Sequence, residues 1–324
     1  MEKSAHNAPR AVVLSVLMKV NEEGAYCHLC LRQTMKKIDH WPDRDKRLIK
    51  RLVEGTVSRR LQLDYIIDCH AHTPVSKMKP PVRNILRMSV YQIIFMDQIP
   101  DRAACDEAVK LAKQRGFMPL AAFINAILRN IIRNKEQLLA KMEQEEGKEA
   151  LSLKYSMPQW IIDLWLLDYA AADVTVMLDA LLTIRPLTLR LAAGLSKKEV
   201  GQWLASIQLE GHAVHPHPLL DYAYELSKGD KIADLPGFGQ GLFAVQDVAS
   251  MLAIEAAGIA KGDVVLDVCA APGGKALHAA ERAKRVMARD RDAKKCDIIR
   301  ENAARLGHGA QVYSHWQEHG FFRA

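Results

Sequence analysis

The residues of this chain best suited to hold a small ligand stand in one run, Cys269-Ala270-Ala271-Pro272-Gly273-Gly274-Lys275. Proline fixes one backbone dihedral and glycine admits left-handed ones, so the chain can turn tightly there with its amides bare. Ahead of the turn, Val264, Val265, Leu266 and Val268 read as a buried strand with Asp267 near its end, and a helix restarts at Lys275. A bare strand-to-helix turn at the carboxyl end of a parallel strand is where α/β folds bind nucleotide-like ligands. The helix start adds unpaired N–H donors and a partial positive charge, which suit a carboxylate or phosphate. Asp290 lies about fifteen residues after the glycines, at the end of a second strand Arg-Val-Met-Ala-Arg-Asp, where an acid accepts from ribose hydroxyls. By pattern alone nicotinamide, flavin and S-adenosylmethionine (SAM) compete for such a site. The loop lacks the GxGxxG spacing of dinucleotide folds, which weakens the nicotinamide alternative.

The elements that must position this turn follow from periodicity. Residues 293–306 read as a helix and 310–314 as a third strand, giving β-α-β-α-β, half of a doubly wound sheet. Just upstream, Gln246 and Asp247 start a helix running to Ala257, with Asp247 suited to cap it. Pro236-Gly237-Phe238-Gly239-Gln240-Gly241 reads as a flexible entry into this domain.

Between residues 151 and 235 the pattern is mixed. Met157-Pro158-Gln159-Trp160 opens a helix whose buried side is read as Ile161, Leu164, Trp165 and Leu167. Strands are expected at 187–191, 213–214 and 222–226, with a helix over 197–209. Earlier still, from Pro9 to Asn134, apolar residues recur at helical spacing and no alternation interrupts them, so this part is a helical bundle. The charged stretch 135–150 reads as a connection. The expected domains are therefore 1–140, 151–235 and 236–324.

Lys46, Arg47, Lys50 and Arg51 fall at i, i+1, i+4 and i+5, along one side of a helix, with Arg59-Arg60 extending the charge. A solvated helix face would carry the same pattern. Cys27-x-x-Cys30 with Cys69, His70 and His72 is too irregular for two compact ligand pairs, so no metal is expected. His212, His215 and His217 read as loop residues.

Composition sets outer bounds. The chain has 324 residues, 49% of them hydrophobic and 26% charged, values of an ordinary globular protein. No apolar run is long enough for a membrane span, and the first ten residues lack the apolar core of a signal peptide. Six scattered cysteines suit a reducing compartment, so the expectation is a cytoplasmic protein without a membrane. A net charge of +7 favours a polyanionic partner.

The wording of the ligand loop goes further than its pattern. Leu266-Asp-Val-Cys-Ala-Ala-Pro-Gly-Gly-Lys275 resembles the SAM-binding loop of the RNA 5-methylcytosine methyltransferases, and Gly241-Leu-Phe-Ala-Val-Gln-Asp247 resembles the segment upstream of it in that family. Arg47-Leu-Ile-Lys-Arg-Leu-Val-Glu-Gly55, Arg87-Met-Ser-Val-Tyr-Gln92, Asp106-Glu-Ala-Val-Lys-Leu-Ala-Lys113 and Phe123-Ile-Asn-Ala-Ile-Leu-Arg129 are similar to the NusB-type RNA-binding fold. Together they resemble the RsmB (Sun) type, which acts on 16S ribosomal RNA.

This resemblance implies a NusB-like helical bundle, a small α/β RNA-binding domain and the first half of a Rossmann-like, SAM-dependent methyltransferase sheet. It implies SAM held by Cys269 to Lys275 and Asp290, and RNA met by Lys46, Arg47, Lys50, Arg51, Gln246 and Asp247. The family's asparagine after the arginine matching Arg190 is replaced by Leu191-Ala192-Ala193. At the third strand His315-Trp316-Gln317 stands where an acid is expected.

Carbon 5 of cytosine is a poor nucleophile, and a cysteine thiolate added at carbon 6 makes it enamine-like; the base must be unpaired or splayed out. The resemblance places that cysteine in Pro-Cys and Thr-Cys motifs that would lie past Ala324, so no catalytic residue is assigned and this chain alone is expected to be inactive. It also leaves the strand at 264–268 with an open apolar edge. The rival expectation is a non-catalytic RNA-binding protein with a residual SAM site. No sequence rule fixes the oligomeric state; a monomer is expected.

Overall fold

The computed structural model describes residues 9–183, 185–227 and 232–316. They fall into two compact units, Met1–Thr183 and Ile184–Ala324. Among the described residues no helix is long and apolar enough to cross a membrane.

The first unit is all helical: α1 (Pro9–Glu22), α2 (Cys27–Lys37), α3 (Asp43–Ser58), α4 (Arg60–Asp68), α5 (Pro80–Phe95), α6 (Asp101–Gln114), α7 (Ala121–Gln144), α8 (Lys148–Tyr155), α9 (Gln159–Trp165) and α10 (Ala171–Leu182). Helix α5 is its axis and packs against α1, α3, α4, α6 and α7. Prolines at its first turn suit a helix start, where an N–H would lack a partner anyway.

Being buried nearly all round, α5 carries polar groups into the core, and each finds a partner. Arg87 donates from Nε and Nη2 to both carboxylate oxygens of Asp64, at 2.6 and 2.8 Å. Asn84 Nδ2 donates to Glu22 Oε1 at 2.7 Å, and Gln92 Oε1 accepts from Arg10 Nε at 2.8 Å. Buried charge is tolerated only when paired and hydrogen-bonded in this way.

Three features of this unit differ from the sequence reading. Helices α2 and α4 join the bundle; α2 buries only Cys30 and Leu31, too few apolar positions to announce it. Helix α7 runs on to Gln144, well into the stretch read as a connection, and α8 to α10 pack in the same unit around Tyr155, Ile162, Val174 and Leu178. The units thus part at 183–184, not between 140 and 151. In α9 the inward residue is Ile162, while Leu164, and Leu167 just past its end, are exposed, because a helix of just under two turns presents few positions to the core.

The second unit holds two sheets. The first is antiparallel, in the order β2-β3-β1-β4, from β1 (Leu187–Leu191), β2 (Val214–Pro216), β3 (Ala223–Leu226) and β4 (Phe243–Val245). Helix α11 (Lys197–Leu209) opens on a capping box between Ser196 and Glu199, and its Trp203 and Ile207 fill the core with Leu189, Leu191 and Phe243. Strand β4 pairs with β1, Arg190 opposite Ala244, so the boundary expected at 235–236 falls inside one sheet.

The segment read as a flexible entry is pinned as well. Trp203 Nε1 donates to the Pro236 carbonyl at 3.0 Å, and Arg305 Nη1 donates to those of Phe238 and Phe243 at 2.9 and 3.0 Å.

The second sheet is parallel, β5-β6-β7, from β5 (Val264–Asp267), β6 (Arg285–Asp290) and β7 (Val312–Trp316). Helices α12 (Val248–Ala256), α13 (Gly274–Ala280) and α14 (Ala293–Arg305) complete the β-α-β-α-β path. Val286, Ala288 and Val312 are buried with Ala276, Leu277 and Ile299 from the helices. The opposite face, with Leu266, Met287 and Tyr313, is exposed. Strand β5 was read as buried, yet Val264 is 61% exposed and Val268 53%; β5 lies at the end of the strand order. Along it runs a hollow of 540 Å³ bounded by Val264, Leu266, Val268 and Lys275.

A buried polar cluster ties β1, α12 and α13 together. Arg190, 1% exposed, donates to Gln246 Oε1 at 2.7 Å and pairs closely with Glu281. Glu255 accepts from Arg282 Nη1 at 2.8 Å and from the Tyr222 hydroxyl. His278 is sealed among them, and burial first, then Arg190 and Arg282, hold its pKa down to about 4 against the opposing pull of Glu255.

Two outcomes follow. Gly241 has φ +73°, and a Cβ there would meet the Arg305 carbonyl oxygen at 2.1 Å. Gly241→Ala should therefore cost the second unit about 2–4 kcal/mol in a urea titration, and an unchanged midpoint would refute the close approach. Between pH 6.5, the ordinary value for His278, and about 4, the unfolded chain takes up a proton that the folded one refuses, so stability falls as pH falls. From about pH 6.5 down to pH 5 the base-catalysed intrinsic rate falls, so amide exchange in β6 should slow by less than that intrinsic trend, an excess over the expected rate, and His278→Gln should remove the excess. An excess that persists in His278→Gln would show that other groups carry it.

Candidate nucleotide site and basic surface

The turn after β5 is held by its own amides, which donate to backbone carbonyls and to two carboxylates. Cys269 N donates to Asp267 Oδ1 at 3.1 Å, Ala270 N to the Arg289 carbonyl at 2.9 Å, and Gly273 N to the Ala270 carbonyl at 2.7 Å. The Ala271–Pro272 peptide is cis. Gly273 has φ +106°, and a Cβ there would crowd Leu277 Cδ1 at 3.1 Å, so this position requires glycine. Gly274, Lys275 and Ala276 are then the first three residues of α13, whose amides have no intrahelical acceptor. Helix α13 has seven residues, so its dipole adds less than the sequence suggested, and the local amides carry the anion preference.

Asp290 stands at the end of β6 beside this turn. Its Oδ2 accepts from Ala271 N at 3.2 Å and its Oδ1 from Asp292 N at 3.2 Å. A carboxylate offers about four acceptor positions, so capacity remains for a ligand hydroxyl. The structure thus joins the two parts of the expected ligand site, the loop 269–275 and Asp290, by one hydrogen bond.

Of the cysteines here, Cys269 is exposed in the turn and Cys296 is buried on α14, its Sγ 3.9 Å from the Asp290 carbonyl. His315 and Trp316 end β7; Gln317 lies outside the described residues.

Gln246 and Asp247 take different parts. Asp247 is exposed and caps α12, accepting from Ala249 N at 2.9 Å. Gln246 is 5% exposed and its Cγ lies 3.9 Å from where a Gly274 Cβ would be. Its Nε2 is buried without a hydrogen-bond partner among the described residues, an arrangement that costs free energy unless something accepts from it. Sequence reasoning missed the group that orients it, Arg190 with Glu281; the available signal was a lone arginine in the apolar strand Leu-Thr-Leu-Arg-Leu.

The four basic residues on α3 share its outer side, opposite Ile49, Leu52 and Val53, but they are not equally available. Lys46 Nζ meets Asp43 Oδ1 at 2.9 Å and donates to the Asp39 carbonyl at 3.1 Å. Arg51 Nη2 donates to the Phe95 carbonyl at 3.2 Å. Arg47 and Lys50 are exposed.

Comparison with known proteins fits this geometry. Residues 7–133 match the NusB family, and residues 256–318 match the 16S rRNA methyltransferase RsmB/F family. The probable ribosomal RNA small subunit methyltransferase B of Bacillus subtilis (strain 168) is 34% identical over 301 residues, covering 92% of this chain and 66% of its own. Its counterpart from Synechocystis is 32% identical over 277 residues, covering 84% and 60%. The ribosomal RNA small subunit methyltransferase B of Cronobacter sakazakii is 28% identical over 309 residues, covering 94% and 68%. The chain thus spans about two thirds of the length of these curated relatives. In the crystal structure of PH0851, 18% identical, the same fold covers 96% of this chain and 69% of that one with a TM-score of 0.69. With a NusB match over its helical unit and an RsmB/F match over its parallel sheet, the chain belongs to the RsmB/F methyltransferase family.

Proposed function

We propose that this chain is the RNA-holding and SAM-holding part of a methyltransferase acting on carbon 5 of cytosine in 16S ribosomal RNA. The observation that carries the reading is the bond between Ala271 N and Asp290 Oδ2. It sets a ribose-accepting acid beside the start of α13, where the first amides lack intrahelical acceptors, at the carboxyl ends of two adjacent parallel strands.

The donor set fits SAM. The amides of Gly274 to Ala276 and the exposed Lys275 ammonium suit its carboxylate, and Asp290 suits its ribose hydroxyls. Gln246, whose Cγ comes near Gly274, carries one more buried donor, its Nε2, with its Oε1 held by Arg190. When bound, SAM supplies an electrophilic methyl group. The chain's own residues bind and orient: the glycines let the main chain come close, and Asp290 fixes the nucleoside end.

Attack on cytosine requires a cysteine thiolate. Cys296 is sealed in the core and Cys269 belongs to the loop that would hold SAM, so this reading gives neither of them that role. The NusB-type unit supports an RNA partner, with Arg47 and Lys50 of α3 as proposed phosphate contacts and Asp247 as a proposed contact beside the loop.

Calorimetry with SAM tests the reading. The wild-type chain should bind SAM and not NAD. Asp290→Asn, which keeps an acceptor for Ala271 N but loses the charge, should weaken SAM binding about tenfold, the scale of a charge-assisted hydrogen bond. NAD binding in place of SAM, or equal affinity in Asp290→Asn, would contradict it.

A further inference from the structure

Helix α2 shows no apolar stripe in the sequence, yet it is the most uniformly basic element of the first unit. Its eleven residues, Cys-His-Leu-Cys-Leu-Arg-Gln-Thr-Met-Lys-Lys, include no acid. Arg32, Lys36 and Lys37 are exposed and form no hydrogen bond or ion pair among the described residues. This contrasts with α3, where Lys46 and Arg51 are already engaged.

A hollow lies on each side of α2. On the α1 side, 300 Å³ are enclosed by Ser15, Lys19, Gln33, Thr34, Lys37 and Arg115 over an apolar floor, with no carboxylate in the lining. Arg115 is held in place there: its Nη2 donates to Ser15 Oγ at 3.1 Å and to the Ala11 carbonyl at 3.4 Å. On the α3 side, 470 Å³ are bordered by Arg32, Lys36 and Lys46, with Asp39 as the single acid.

We propose that α2 and its two flanking hollows form a phosphate-binding ridge for a strand of RNA. Three cations, Lys19, Lys37 and Arg115, meet in the first hollow, and the side-chain hydroxyl of Thr34 and amide of Gln33 stand between them. That is what a phosphodiester takes, charge neutralisation with several donors at short range. Residues one helical step apart, 32 with 36 and 33 with 37, point to opposite hollows, so a strand crossing α2 meets cations before and after the ridge. A dense acid-free cationic surface of this kind also raises the local concentration of a polyanion before docking.

The proposal rests on the RNA reading given above and names where on the helical unit the backbone is held. Binding of a fluorescein-labelled unpaired RNA of about fifteen nucleotides to the full chain is measured by anisotropy across a salt series. The variant is Lys19→Gln/Arg32→Gln/Lys36→Gln/Lys37→Gln, all exposed positions. Affinity should fall about tenfold or more, and the slope of log K against log salt should flatten by about 3, at roughly 0.7 per lost phosphate contact.

A charge-matched control, Arg102→Gln/Lys110→Gln/Lys141→Gln/Lys148→Gln, removes cations that already face carboxylates and should keep the slope. Arginine at 19, 36 and 37 should restore binding. If the wild type binds RNA and the α2 variant keeps its slope, the ridge is refuted while the RNA reading stands. If the wild type binds no RNA, both fall. Displacement of RNA by polyglutamate at equal charge would make the ridge a seat for an acidic protein and overturn the RNA assignment.

Discussion

The hydrogen bond from the Ala271 amide to the Asp290 carboxylate is the point on which the second unit turns. It closes a ring running from β5 through the turn and α13 to β6, and it sets how far the loop stands from the strand ends. Everything beside it serves that spacing. The Ala270 amide is spent on the Arg289 carbonyl, Gly273 takes a left-handed dihedral to turn the chain, and Leu277 fills the space a side chain at Gly273 would need. The amides after Gly273 remain directed outward, free of internal partners.

Behind the turn, the Arg190 cluster holds the antiparallel sheet to α12 and α13. Its members are costly to bury singly and are tolerated because each charge has a partner. The cluster leaves one amide of Gln246 unpaired beside Gly274. His278 Nδ1 is buried without a hydrogen-bond partner among the described residues as well, and orphaned polar atoms of this kind call for a structural or functional account. His278, neutral at physiological pH, adds no further positive charge to a cluster that already holds Arg190 and Arg282.

Much of this was legible in the sequence, for reasons that differ by element. The ligand turn announced itself because proline and paired glycines have few uses other than a tight bare turn, and Asp290 because it closes an alternating strand. Helix α5 was visible through its apolar period. Helix α2 was not, since only Cys30 and Leu31 reach the core and the rest is basic. The domain boundaries moved because glycine and charge mark where a chain can bend, not where packing stops. Gly237 and Gly241 bend a segment that Trp203 and Arg305 then lock. The charged stretch after Asn134 is simply the outer end of α7. Buried ion pairs such as Arg190 with Glu281 depend on residues 91 positions apart, which no local pattern reports.

The most direct test of the account is a map of backbone amide chemical shifts of the full chain during titration with SAM, with NAD as comparison. The account predicts saturable shifts at Cys269, Ala271, Gly273, Gly274, Lys275 and Asp290 with SAM, a shift of the Gln246 side-chain amide, and none of these with NAD. Shifts confined to other surfaces, or the same response to both ligands, would contradict the assignment of this turn as a SAM site.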